Sequence, residues 1–512
     1  MEPPRVPGRT STPSAAVAVG SALALGVVLR TMQWFAGTSL WIDELMIARN
    51  VQDRGMAALL TRALDYAQVA PPGFLASVEA ATMVFGLGER ALRLVPWALS
   101  ILGLLLFWRI ARRFVSPLAL VMGLLLFAAS PALIWYGGNV KQYSGDVAWT
   151  LLLVLLALRL VERPDDRRRA WVAALVGCFA LLNSHPAVLV GALIGLTLTL
   201  RWWRADPRPS PVPLALVGGC WSVAALVTAW VSLRFTSAET RTYMEEWWAE
   251  GFAPFADGVV AVSIWVPERL FHVLAHFLVQ IEGLLWPLAV VTAALAVPGA
   301  VYLVRRYGWR AALVLTPTAA ALAGGILHLL PMRHRVAVYA GWPLLLAAMA
   351  GVELLRRQRS RTARWSGAVL ADLAALPLTL GVLTDAPPYR MQETRPLFAT
   401  LVDRIEPGDV VYVYCLTRHA AEFYGPRVGF DGYVQGGCHE TSQEFRHEVE
   451  SFQGEPRVWF LYSQWTPEAP FPDTIRAHLE ALGTLVDSIP DFYGLTRQAQ
   501  AAAYLYDLSG AR

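Results

Sequence analysis

Asp43 and Glu44 stand side by side in an aromatic and apolar frame, Leu40-Trp41-Ile42-Asp43-Glu44-Leu45, just after the first hydrophobic run. Carboxylates kept at a bilayer boundary are costly and as a rule serve a function. Cations stand at comparable places. Lys141 is the only lysine among the 43 Lys and Arg residues, and Arg333-His334-Arg335 precedes a late hydrophobic run. Glu79, Arg90, Arg93, Asp146 and His185 also lie near the ends of such runs. With almost no charge inside the runs, a transport path is disfavoured, because it needs polar residues near the midplane. The pattern favours chemistry at the membrane boundary, on a substrate with a lipid tail and a polar head.

The elements that position these residues are membrane spans. Of 512 residues, 55% are hydrophobic and 16% charged, with a mean hydropathy of +0.43. A soluble domain carries roughly 25% charge. The formal charge of +4 comes with arginines in short blocks between apolar runs. No basic stripe carries interleaved aromatics, so nucleic acid is not an expected partner. Runs approaching the required length of about 20 residues are Ala15–Phe35, Ala91–Trp108, Pro117–Tyr136, Ala148–Val161, Ala170–Leu182, Pro186–Trp203, Leu214–Leu233, Gly283–Val304, Ala311–Leu330, Ala337–Leu355 and Gly367–Leu383. The fifth and sixth form a hairpin broken at Asn183-Ser184-His185-Pro186.

Arginine placement orients them. Blocks at 109–113, 163–169, 201–208, 305–310 and 356–364 follow the even-numbered runs and share a side with Arg5 and Arg9. The positive-inside rule makes that side cytoplasmic. A multi-pass protein of the cell (cytoplasmic or inner) membrane is therefore expected, with its N-terminus inside and its C-terminus outside. Pro71–Gly88 is long enough to cross, but counting it would turn the first arginine block outward. It reads as a helix at the outer interface. The first run also suits a signal peptide, for which it is a little long; an uncleaved anchor is the favoured reading.

Two domains are expected: residues 1–385 as the multi-spanning part, with 37–90 as a first extracytoplasmic loop containing interfacial helices, and 386–512 as a soluble extracytoplasmic α/β domain. The loop Phe235–Glu282 carries Trp247, Trp248 and Trp265, suited to an interfacial belt. In the C-terminal part, 409–414 and 457–462 read as strands, and 396–405, 442–452 and 474–482 as helices. Cys178 and Cys220 lie in apolar runs, whereas Cys415 and Cys438 lie where a disulfide is possible. No ligand spacing suggests a metal site, and no cofactor is expected.

The motifs resemble a known family. Trp41-Ile42-Asp43-Glu44, Pro71-Pro72-Gly73-Phe74, Phe85-Gly86-Leu87-Gly88-Glu89-Arg90 with Arg93-Leu94-Val95-Pro96, Lys141-Gln142-Tyr143-Ser144 and Arg333-His334-Arg335 occur in the order seen in polyprenyl-phosphate-sugar-dependent membrane glycosyltransferases. This is the protein O-mannosyltransferase-like superfamily (glycosyltransferase family 39), which includes bacterial aminoarabinose transferases. The resemblance covers roughly residues 14 to 355. It departs at Gly73, where the family usually has Leu, and does not extend to the soluble tail.

The resemblance implies a mainly α polytopic bundle of the type C glycosyltransferase fold. It implies a polyprenyl-phosphate-linked sugar as donor and a glycan, lipid or protein hydroxyl as acceptor. Asp43, with Glu44 beside it, would take the hydroxyl proton, a contribution of about 10²–10⁴-fold. Lys141, Tyr143, Arg93, Arg333 and Arg335 would hold the leaving phosphate. Glu79, Arg90, Asp146 and His185 are further pocket candidates.

Structural readings stand beside these. Asp43 and Glu44 suit the first turn of a helix, Lys141 suits a snorkelling anchor, and Arg90 and Arg93 suit pairing with nearby acids. Arg333 and Arg335 also read as topological outliers, and His185 before Pro186 as a helix end. A lipid-linked glycan flippase or an oligosaccharide ligase is the alternative function.

Overall fold

The computed structural model describes residues 13–278, 286–357, 386–439, 441–463, 473–489 and 501–510. The eleventh expected span, 367–383, lies outside them. The chain divides into two compact units, one of residues 1–35 and 54–387, the other of residues 36–53 and 388–512. The expected first loop is thus shared: residues 36–53, which include Asp43 and Glu44, belong with the C-terminal residues and not with the spans.

The first unit is a helical bundle of a multi-pass membrane protein. Among the described residues nine helices are long and apolar enough to cross a membrane, or ten if one bent pair counts as a single span. Like His334–Arg356, Tyr143–Glu162, hereafter the central helix, has 83% of its apolar window buried. Its 20 residues reach about 30 Å, the thickness of a hydrocarbon core. The expected fifth span is a 17-residue helix, Arg167–Asn183. Pro72–Phe85 is a 14-residue helix, about 21 Å long and too short to span.

The arginine blocks gather at one end of this unit. Arg113 reaches Glu162 at 3.1 Å, Arg201 donates to the Val161 carbonyl at 3.4 Å, and Arg356 donates to Ser116 Oγ at 3.4 Å. The Tyr307 hydroxyl donates to the Phe114 carbonyl at 2.9 Å. Tyr143 begins the central helix at the opposite end.

One helix differs from the sequence reading. Gly258–Leu278 has spanning length, yet it falls in the expected loop 235–282. Its two halves touch the bundle at different depths. Trp265 packs on Gly325, at the end of the ninth span far from its arginine-side start. His276 Nε2 is 2.8 Å from the Tyr136 hydroxyl, and Ser130 Oγ donates to the Phe277 carbonyl at 2.5 Å. The first half therefore lies at the Tyr143 end, while Phe277 reaches partway along the third span, where it also meets the Phe127 ring at 5.7 Å.

The third span bends by 51° between Pro117–Ala129 and Pro131–Gly137. Pro131 has no N–H and frees carbonyls in the preceding turn. Arg30, fully buried in the first span, donates to the Ala128 carbonyl at 2.9 Å and the Phe127 carbonyl at 3.0 Å. A guanidinium thus satisfies backbone groups that lipid cannot.

The second unit is a small α/β module. Its sheet has the order β2-β1-β3-β5-β4, with β1 Val410–Val413, β2 Val434–Gln435, β3 Val458–Ser463, β4 Thr484–Ile489 and β5 Ala501–Asp507. β2, β1 and β3 run parallel, while β5 is antiparallel to β3 and to β4. The expected strands coincide with β1 and β3, and the three expected helices with Thr394–Val402, Ser442–Glu450 and Asp473–Leu482. Arg418–Val428 is a further helix. Cys415 and Cys438 form a disulfide with Cα atoms 5.1 Å apart.

Candidate active site

Two of the expected site residues, Tyr143 and Arg335, come together at the start of the central helix, and a third, Lys141, lies two residues before it. Lys141 is buried and donates to Gln68 Oε1 at 2.5 Å. Two residues on, the Tyr143 hydroxyl accepts from Arg335 Nε at 3.1 Å. Arg335 also lies over the Trp248 ring, 5.2 Å from its centroid. Tyr143 meets Tyr136 edge-on at 5.3 Å, and Tyr136 is held by His276. Arg335 and Tyr143 thus meet where the central helix begins, and Lys141, held by Gln68, stands two residues before Tyr143. Such a set can hold an anionic oxygen through charge-assisted hydrogen bonds.

The backbone is strained beside this cluster. Tyr66 and Ala67, just before Gln68, and His334, just before Arg335, have φ of 64°, 51° and 41°. Non-glycine residues in the left-handed region cost of order 1–3 kcal/mol and tend to cluster at functional sites.

One turn further along, Asp146 is buried and accepts from Ser184 Oγ at 2.6 Å. Ser184 caps the His185–Trp203 helix by accepting the Ala187 amide at 3.2 Å. The break in the fifth–sixth hairpin is thereby tied to the central helix. His185 is 2.8 Å from Ser232 Oγ, a link within the bundle. Glu79 is buried and accepts from Thr82 Oγ1 at 3.3 Å on its own helix.

The remaining arginines separate. Arg333 pairs with Glu250 at 3.1 Å. Arg90 donates to the Phe35 carbonyl at 3.0 Å and stacks 4.5 Å from the Phe35 ring centroid, while its own carbonyl accepts from Trp34 Nε1 at 2.9 Å. It fastens the end of the first span rather than meeting an acid there. Arg93 is almost fully buried at the start of Leu94–Ala111.

In the second unit, Asp43 and Glu44 occupy the first turn of Ile42–Asp53. Glu44 is fully buried, and its Oε2 accepts the Trp41 amide at 3.4 Å, while the Trp41 carbonyl accepts the Glu44 and Leu45 amides at 2.9 Å. Glu44 therefore closes the turn in the manner of a capping residue. Asp43 is half-buried.

Gln68, Tyr136 and His276 were not singled out from sequence, while Ser184 reads only as part of a hairpin break and Trp248 only as part of an interfacial belt. Their signals were weak: uncharged or aromatic side chains carry no mark of function by themselves.

No family model and no curated protein sequence matches the chain. Among solved structures, it is similar to ArnT from Cupriavidus metallidurans bound to undecaprenyl phosphate, with 14% identity and a TM-score of 0.53, covering 97% of this chain and 98% of that one. It is also similar to AglB, an archaeal oligosaccharyltransferase from Archaeoglobus fulgidus in complex with an inhibitory peptide and a dolichol-phosphate. That match has 12% identity and a TM-score of 0.47, covering 97% of this chain and 74% of that one. On the ArnT likeness, the chain has the type C glycosyltransferase fold.

Proposed function

We propose that the chain is a membrane glycosyltransferase that moves a monosaccharide from a polyprenyl-phosphate donor to a hydroxyl acceptor on the extracytoplasmic side. The observation that carries this reading is the hydrogen bond between Arg335 and Tyr143, with Lys141 two residues away. It joins two motifs whose resemblance implies phosphate binding, on a fold shared with a protein crystallised with undecaprenyl phosphate.

In this reading the acceptor oxygen attacks the anomeric carbon as the bond from that carbon to the phosphate oxygen breaks. The electron pair leaves with the phosphate, and the hydroxyl proton passes to the Asp43 carboxylate. Direct displacement inverts the anomeric centre. Lys141 and Arg335 stabilise the charge that develops on the phosphate, and Tyr143 orients Arg335. Arg93 and Arg333 are supporting cations, the latter shared with Glu250. One carboxylate suffices, because a phosphate held by cations leaves without a general acid.

The test is a reconstituted assay. Purified protein in nanodiscs receives undecaprenyl-phosphate-linked sugars extracted from its host membranes, together with envelope acceptors. Release of undecaprenyl phosphate with sugar appearing on an acceptor supports the proposal. Movement of the intact lipid-linked sugar across a vesicle bilayer, with no release, overturns it in favour of a flippase.

A further inference from the structure

The short segment that carries Asp43 is held by residues from the far end of the sequence, within the same compact unit. Residues 37–41 form no regular secondary structure. Their buried amides therefore need partners from elsewhere. The Leu40 amide donates to the Tyr424 hydroxyl at 2.8 Å, and the Ile42 amide to Gln392 Oε1 at 3.0 Å. Ser39 Oγ donates to Glu393 Oε2 at 3.1 Å and accepts the Arg395 amide at 3.1 Å. Arg395 Nη2 donates to the Gly37 carbonyl at 3.0 Å. Beyond Asp43 on the same helix, Arg49 is paired with Glu422. Gln392, Glu393 and Tyr424 are all buried.

These contacts bracket Asp43 from both sides of the sequence. The Ile42 amide is one of the donors that a helix start leaves without an intrahelical partner, and Gln392 supplies its acceptor. We infer that the C-terminal module is the clamp that sets where Asp43 stands, with Gln392 and Tyr424 as positioning residues. The inference rests on the reading of Asp43 as the proton acceptor. It gives the soluble tail a role in catalysis that does not depend on acceptor recognition. A misplacement of about 1 Å in a reacting group costs on the order of 10²-fold in rate, so a loosened clamp lowers turnover without changing donor affinity.

The test uses the full chain in nanodiscs and has two readouts. Hydrogen exchange of the peptide spanning residues 38–45 reports the clamp directly. In the double variant Gln392→Ala with Tyr424→Phe, exchange at Leu40 and Ile42 rises at least about tenfold, and kcat falls by about 10²-fold with donor KM within about twofold. Gln392→Glu keeps an acceptor oxygen, so both readouts return close to wild type, which distinguishes lost positioning from lost folding. Wild-type exchange in the double variant, or faster exchange with unchanged kcat, overturns the inference. Full turnover by Asp43→Asn instead defeats the reading of the base, and the exchange result still decides whether the clamp exists.

Discussion

Arg335 Nε donates to the Tyr143 hydroxyl across 192 positions of sequence, at 3.1 Å. The bond joins the start of the central helix to the segment before the tenth span, so two stretches that look unrelated in sequence meet at the corner proposed to hold the donor phosphate. A hydrogen bond to a charged group contributes about 1.5–3 kcal/mol. Tyr143→Phe is therefore expected to weaken donor use by about tenfold or more, expressed in kcat/KM. The double-mutant cycle with Arg335→Ala is expected to show a coupling between about 0.5 and 3 kcal/mol. Additive effects would mean that the two residues act apart.

Gly73 accounts for the departure from the family motif. A Cβ placed there would lie 2.6 Å from Asn183 Nδ2 and 2.7 Å from the Leu182 carbonyl oxygen. The Pro72–Phe85 helix therefore packs directly on the break between the fifth and sixth spans, where Ser77 Oγ also donates to Asn183 Oδ1 at 3.4 Å. Replacing Gly73 by the family's usual Leu is expected to destabilise the bundle by about 1–3 kcal/mol through overpacking. Thermal unfolding in detergent measures this, and an unchanged midpoint would contradict the packing account.

The C-terminal module should lose stability in mild acid. His419 is buried beside Arg418 and Arg49, and its pKa is lowered to about 4, by burial first and then by those cations. In the unfolded chain the imidazole titrates near 6.5. Between those values the unfolded state binds more protons, so stability falls as pH drops from about 6.5 towards 4. His419→Gln is expected to flatten that part of the curve, followed by proteolysis of the module across pH. An unaltered slope would assign the acid sensitivity to other groups.

How much of this was legible in the sequence follows from length scales. Hydrophobic runs of spanning length are local signals, so most of the apolar helices of the first unit were readable. Strands β1 and β3 are apolar and continuous, and were also visible. β4 has an exposed face and a register shift between Leu485 and Asp487, and β2 is two residues long, so neither has a pattern to detect. Gly258–Leu278 has the composition of a span, yet in sequence it reads as part of a loop whose tryptophans suit an interfacial belt. Arg30 is a charge inside an apolar run, explained only when the bend at Pro131 is seen across from it. The module's hold on residues 37–42 runs largely through the backbone groups of Gly37, Leu40 and Ile42, which carry no sequence signal.

The measurement that bears most directly on the account is the single-turnover rate of Asp43→Asn with the lipid-linked sugar that the wild-type protein consumes, alongside the variant's affinity for that donor. Loss of a general base predicts a fall in rate of about 10²–10⁴-fold with donor binding within about twofold of wild type. A variant that releases undecaprenyl phosphate at the wild-type rate would show that Asp43 does not take the proton.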